Sequence, residues 1–310
     1  MPKELTHWIL AEQAFAGLDA GCQLKGLIGK HHELYLAGAV LPDTLMHLFH
    51  GPQARTALAL AKRFHDTGAN SYEPFILAEE RFPGGFPPRL LACLLGIIAH
   101  MQADIVFHPY IYSISGATDI GLHYHLETAL DVYFEHTVAA PPIRHLADLV
   151  RPDTQDELIA ACALIFDPLG ELPGKTIGHT LDLHCRFQGL YDRTHWKLLV
   201  RALGRLHVPP FRNYQHLFYP ISMAKDAPPL TGQGQWRHPV TGELRTDSIE
   251  ELASRVVRRT TAVMERIATL GSLARALAEP PGENLLTGMY GVQAKAMTTP
   301  PENREKGQKV

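Results

Sequence analysis

Alternating apolar and polar runs hardly occur in this chain, which argues against a fold built on β-sheet. Thiolate clusters are missing too. The four cysteines, Cys22, Cys93, Cys162 and Cys185, are scattered without any C-x-x-C spacing, so neither a disulfide framework nor a thiolate metal site is expected. There is no excess of positive charge: 29 Lys and Arg face 32 Asp and Glu, a formal charge of −3. No global basic field is therefore present to attract long nucleic acids or anionic membranes. The opening residues Met1-Pro-Lys-Glu-Leu-Thr-His7 lack the basic-then-apolar pattern of a secretory signal. No uncharged apolar run approaches the roughly 20 residues a membrane helix needs. The longest, Leu90 to Met101, contains His100 and reads as a buried helix. From these absences we expect a cytoplasmic protein without a transmembrane segment.

Helical period and histidine are what the chain has. Its 310 residues are 45% apolar, enough for a sizeable core, and 11 of its 18 histidines fall between residues 7 and 136. Periodicity predicts helices at about 52–65, 71–81, 89–107, 122–138, 153–165, 178–204 and 247–278. Thr6 is expected to cap a first helix, Pro109 to end the long apolar one, and Phe82-Pro-Gly-Gly-Phe-Pro-Pro88 to be a connector. Two spacings stand out, His100-Met-Gln-Ala-Asp104 and His123-Tyr-His-Leu-Glu127. Each places an imidazole and a carboxylate one helical turn apart on the same face. An ionisable pair on the apolar stretch 90–99 is costly to bury without partners, so metal ligation outweighs a simple ion pair there.

The candidate ligands are His7, Asp43, His65, His100, Asp104, His108, His123 and Glu127. Nitrogen and oxygen donors without thiolate suit zinc, with manganese or iron chemically possible. His31, His32, His47 and His50 read as exposed or cap-like, with His32 a possible replacement ligand. His179 and His184, which have no carboxylate at i,i+4, read as packing or pocket residues at best. The aromatic segment from Phe211 to Trp236 reads as packing over the helices, and Arg255, Arg258, Arg259 and Arg266 as a solvated helix face.

The fold expected is all-α, a multi-helix bundle with a metal cluster in its core cleft. One domain is expected over residues 1–278, with the ligands at about 5–138. A helical second half follows at about 150–278, interrupted by an irregular excursion at 208–246. Residues 279–310, Pro-rich and polar, read as a mobile tail.

The order of residues resembles the zinc-dependent phospholipase C family and its relatives, the single-strand-specific nucleases. Carrying the resemblance are Thr6-His7-Trp8, Gly38-Ala-Val-Leu-Pro-Asp43, Phe64-His65-Asp66, Gly96-Ile-Ile-Ala-His100-Met-Gln-Ala-Asp104, His108-Pro109 and His123-x-x-x-Glu127. It implies two to three zinc ions. Asp43, His65, His100 and Asp104 would hold the first, and His108, His123 and Glu127 the second. His7 and a bridging Asp104 would hold the third. In the family an N-terminal tryptophan completes that third site; none precedes His7, so the amine of Met1 or Pro2 or another side chain would have to serve. Asp43 is the implied ligand and base, with Asp66 a second candidate for orienting water. The implied activity is hydrolysis of a phosphodiester, in a small molecule or a phospholipid. A nuclease or nucleotide phosphatase is the alternative, and a non-catalytic metal-binding scaffold a further one. Oligomeric state is open.

Overall fold

The computed structural model describes residues 3–137, 143–209, 211–221 and 235–298. Among these the secondary structure is helical apart from one small hairpin. In chain order come α1 (Glu4–Gly17), α2 (Gln23–Lys30), α3 (His32–Gly38), a 3-10 segment (Leu41–His47), α4 (Ala54–His65) and α5 (Glu73–Glu80). Next come α6 (Pro88–Ser115), α7 (Ile120–Thr137), α8 (Gln155–Phe166), α9 (Gly174–Leu190) and α10 (Thr194–Arg205). The hairpin pairs β1 (Trp236–Arg237) with β2 (Leu244–Arg245), and a long helix (Ile249–Leu270) follows it.

Helix α6 is the axis on which the rest is assembled. Its apolar window is long enough to cross a membrane, yet 94% of that window is buried inside the fold, so it is a core helix. Helices α1, α3, α7, α8 and the helix Ile249–Leu270 pack around it. Closest is α3. A Cβ on Gly96 would lie 2.0 Å from the Tyr35 carbonyl oxygen, and one on Gly38 2.2 Å from that of Cys93. The two glycines let the helix backbones touch, and this draws the Ala39 carbonyl and the following 3-10 segment to the face of α6 that bears His100. Gly96→Ala is therefore expected to cost about 3 kcal/mol through overpacking against backbone, read as a lowered Tm with reduced zinc content.

Several expectations from the sequence change. Helix α6 does not end at Pro109 but continues through it to Ser115. Proline removes one helical hydrogen bond and crowds the carbonyl of residue 105. Gly288, at φ 64°, lies against that carbonyl, where a Cβ would come within 2.6 Å of the oxygen. The helix expected at 178–204 is two, α9 and α10, and that at 247–278 stops at Gly271, which is left-handed at φ 64°. Ser248 and Glu251 form a capping box at its start. The excursion expected to be irregular at 208–246 holds β1, and Trp236 packs edge-on against Tyr110 at 5.7 Å. Residues 222–234 of the excursion lie outside the described residues.

The largest change is at the C-terminal end. Residues from 282 to 296, expected within a mobile tail, are sewn onto the fold. Asn284 and Leu285 are wholly buried. Asn284 Nδ2 donates to Asp66 Oδ1 (2.9 Å) and to the Thr67 carbonyl (2.8 Å), and Gly282 N donates to Asn70 Oδ1 (2.6 Å). Arg259, expected as a solvated charge, donates to both Glu283 oxygens at 2.8 Å and to Gln102 Oε1 at 2.8 Å. Residues 299–310 lie outside the described residues.

Candidate metal centre

Regular helix geometry places the first donors. His100, Asp104 and His108 follow at intervals of four on α6, so they line one face one turn apart. His108 joins that face because α6 runs through Pro109. His123 and Glu127 repeat the spacing on α7. His7 comes from α1, Asp43 from the 3-10 segment and His65 from the last residue of α4. All eight expected ligands fall in three groups: His7–Asp43–His100 and His65–His100–Asp104, which share His100, and His108–His123–Glu127. Within each group the donor atoms lie within 4.8 Å of one another.

Backbone carbonyls fix which nitrogen each imidazole presents. His65 Nδ1 donates to the Ala61 carbonyl (2.8 Å), His100 Nδ1 to Ala39 (2.9 Å) and His108 Nδ1 to Leu285 (2.7 Å). A carbonyl only accepts, so each Nδ1 carries the hydrogen and each Nε2 turns a lone pair inward, as metal-bound histidines do. Asp104, fully buried, lies at the junction. Its oxygens are 3.2 Å from His100 Nε2, 3.6 Å from His7 Nε2 and 3.8 Å from His65 Nε2, while Asp43 Oδ1 is 3.4 Å from His65 Nε2. Charge-assisted hydrogen bonds are shorter, about 2.7–2.9 Å. Donors about 2.0–2.1 Å from a tetrahedral zinc are instead about 3.3 Å from each other.

Unmet polar atoms test whether a cation fits. Eight buried atoms here have no hydrogen-bond partner among the described residues: both His7 nitrogens, Asp43 Oδ1, both Asp104 oxygens, and Nε2 of His65, His100 and His108. Each such atom costs about 1–3 kcal/mol if left unmet. Converging nitrogen and oxygen lone pairs of this kind fit zinc.

Most of the protonation states agree. Burial pushes His7 and His108 down to about 3 and His123 well below its ordinary value, so these imidazoles are neutral and able to ligate at neutral pH. Burial opposes ionisation of Asp43, but the His100 and His65 imidazoles beside it hold its carboxyl down to about 2. Asp104 is likewise held low against burial by His100 and His108. His100 runs the other way: burial would lower it, but Asp104 and Asp43 outweigh that and raise it.

A sign follows for the metal-free protein. A histidine that is depressed in the folded state takes up its proton only on unfolding, so stability falls as pH drops below about 6.5 towards the folded values near 3. The Tm of chelator-treated protein is expected to decline steadily between pH 7.5 and 5, followed by circular dichroism. A flat profile would mean that His7 and His108 are not held neutral.

Other expected positions part from the centre. Asp66 is in none of the three groups. Its Oδ1 accepts from Asn284 Nδ2 and from Ala294 N (2.8 Å), which anchors the C-terminal segment. His32 pairs with Glu12 at 2.9 Å and belongs to none of these groups. Met1 and Pro2, suggested above for a third ion, lie outside the described residues. Two surface clefts, one lined by His145, Asp148, Arg186 and Arg193 and one by Asp19, Gln23 and Glu265, include none of the eight ligands.

Asp131 escapes a reading of the sequence alone. Helix α1 begins at Glu4 rather than after Thr6, and its N-cap Lys3 makes no side-chain capping bond. Asp131 on α7 substitutes across the core. Its oxygens accept from Thr6 N (2.8 Å), Thr6 Oγ1 (2.6 Å) and Leu5 N (3.3 Å), and Tyr219 adds its hydroxyl at 2.7 Å. A carboxylate at the positive end of a helix dipole fixes α1, and with it His7. The only signal in the sequence is an acid four residues beyond Glu127. A run of aromatics also lies beside the ligands: Tyr124, next to His123, is 6.4 Å from Tyr214, which is 6.5 Å from Phe49. Phe49 and Tyr214 are exposed.

A family model described as zinc dependent phospholipase C matches residues 6–164, about half of the chain and the whole set of eight ligands. Comparison with curated proteins and with solved structures gave no match.

Proposed function

This chain belongs to the zinc-dependent phospholipase C family, and on that membership we propose that it hydrolyses a phosphodiester bond in a phospholipid or a smaller phosphoester. The observation that carries the reading is the convergence of buried nitrogen and oxygen donors without hydrogen-bond partners among the described residues. Asp43, His65, His100 and Asp104 would hold one zinc, His108, His123 and Glu127 a second, and His7 with Asp104 a third. Bound zinc supplies activation of water and stabilisation of charge on phosphoryl oxygens. Asp43 is the group of this chain best placed to orient the attacking water and take its proton. Its side chain keeps 13% exposure where Asp104 keeps none, and its carboxyl is ionised at neutral pH. The exposed rings of Phe49 and Tyr214 offer an apolar wall for the part of the substrate beyond the phosphate.

Nucleic-acid hydrolysis is the second reading, and the same rings favour it, since bases stack on aromatic faces. The deciding experiment is a screen of zinc-loaded protein against phosphatidylcholine vesicles, short single-stranded DNA and a chromogenic phosphodiester. Release of phosphorylated headgroup supports the lipase reading, and nucleotide release supports the nuclease. Fully zinc-loaded protein inert on all three would leave the non-catalytic scaffold. We further propose that the helical body, with the segment at 282–296 packed onto it, acts as one domain in the cytoplasm.

A further inference from the structure

A second set of donors lies one turn away from the centre along two of its elements. Glu4 precedes His7 by three residues on α1, and His47 follows Asp43 by four at the end of the 3-10 segment. His184, from the middle of α9, meets them. The three present donor atoms within 4.8 Å of one another. The sequence alone reads His47 as exposed or cap-like, and His184, which has no carboxylate at i,i+4, as a packing or pocket residue at best. The juxtaposition exists only through the contact of α9 with the 3-10 segment.

Its details repeat those of the centre. His47 Nδ1 donates to the Asp43 carbonyl at 3.1 Å, which leaves Nε2 as a lone-pair donor. His184 Nδ1 lies 3.1 Å from Thr44 Oγ1, and its Nε2 faces Glu4 Oε1 at 3.4 Å, near the separation of about 3.3 Å expected for two ligands of one tetrahedral zinc. The His47 and His184 rings stack at 4.0 Å and 14°, the same arrangement as His7 on His100 at 4.0 Å and 10°. The independent mark of a missing partner is Glu4 Oε2. Glu4 is only 7% exposed, and this oxygen is buried without a hydrogen-bond partner among the described residues. Glu4 and His184 both fall outside the segment matched by the family model.

We propose that Glu4, His47 and His184 form an additional cation site for zinc or a similar first-row divalent ion, separate from the eight-ligand centre. Two imidazoles and a carboxylate leave a fourth tetrahedral position for water. An ion there pins α1 and the 3-10 segment to α9, and so holds the backbone that carries Asp43. The site is a structural clamp joining the second half of the chain to the ligand-bearing half.

The test uses the full chain, purified without chelator or histidine tag and crystallised after loading with zinc. A zinc-edge anomalous map is expected to show a peak among Glu4, His47 and His184. Glu4→Gln and His47→Gln are each expected to lower zinc content by one ion per chain, measured by plasma mass spectrometry, and to erase that peak alone. Asp104→Asn should instead empty the main centre and leave this peak. A wild-type map with the main centre occupied and no peak here overturns the clamp while sparing the proposed function. A peak here with the main centre empty does the reverse. Variants that keep the full zinc complement while folded by circular dichroism also overturn the clamp. Should either fail to fold, the wild-type map decides alone.

Discussion

Asp104→Asn is expected to strip zinc from the centre and reduce kcat/KM by at least about a thousandfold, some 4 kcal/mol of lost transition-state stabilisation. The substitution barely changes volume, so its effect isolates charge and ligation. Asp104 is fully buried, and its oxygens lie 3.2–3.8 Å from Nε2 of His100, His7 and His65 without a hydrogen bond to any of them. An amide there replaces a fully buried carboxylate shared by these three imidazoles with a neutral group whose NH2 end repels a cation. Zinc content by plasma mass spectrometry and turnover of a phosphodiester are the two readouts. Full metal content with intact turnover would show that Asp104 bridges nothing.

Ending the chain at Ala278 is the second change expected to have a large effect. The segment beyond it supplies the Leu285 carbonyl that accepts from His108 Nδ1, and nothing in a side-chain substitution can remove that contact. Without it the His108 ring is free to turn its lone pair away, and loss of such an orienting partner typically weakens metal affinity about 10–100-fold. Stability should fall as well. Burying a leucine such as Leu285 contributes about 1.5–3 kcal/mol, and Asn284 adds its bonds to Asp66 and Thr67. The expected result is a lower Tm together with weaker binding of the ion held by His108, His123 and Glu127, followed by competition with a zinc chelator. Unchanged Tm and zinc affinity would mean that the segment merely covers the surface. Asn284→Ala offers a milder version: it removes the bonds from Asn284 to Asp66 and Thr67, while Ala294 N keeps its bond to Asp66 and the Leu285 carbonyl stays in the chain.

The C-terminal segment also shows where composition misleads. The residues after 279 look like a tail because proline and polar side chains dominate and few apolar ones are left to bury. What decides the state of the segment is a few specific contacts, Asn284 to Asp66, Arg259 to Glu283 and Gly288 beneath Pro109, each pairing residues far apart in the chain. Pro109 misleads in the opposite direction. Local rules end a helix there, but the surrounding core tolerates one missing hydrogen bond, and His108 gains its place on the α6 face as a result.

Whatever depends on neighbours a turn apart is legible without a structure. An all-α fold, the His100–Asp104 and His123–Glu127 pairs, and a nitrogen-and-oxygen donor set suited to zinc all follow from helical period and side-chain chemistry, which are local. The tertiary structure decided the rest. It made Asp104 the junction and left Asp43 as the partly open carboxylate. It drew Asp66 to the C-terminal segment, placed Asp131 at the start of α1, and brought His184 to Glu4 and His47. These depend on how close α3 approaches α6 through Gly38 and Gly96, and on which helices meet across the core. Such distances are set by packing among elements remote in sequence, and no spacing within one helix encodes them.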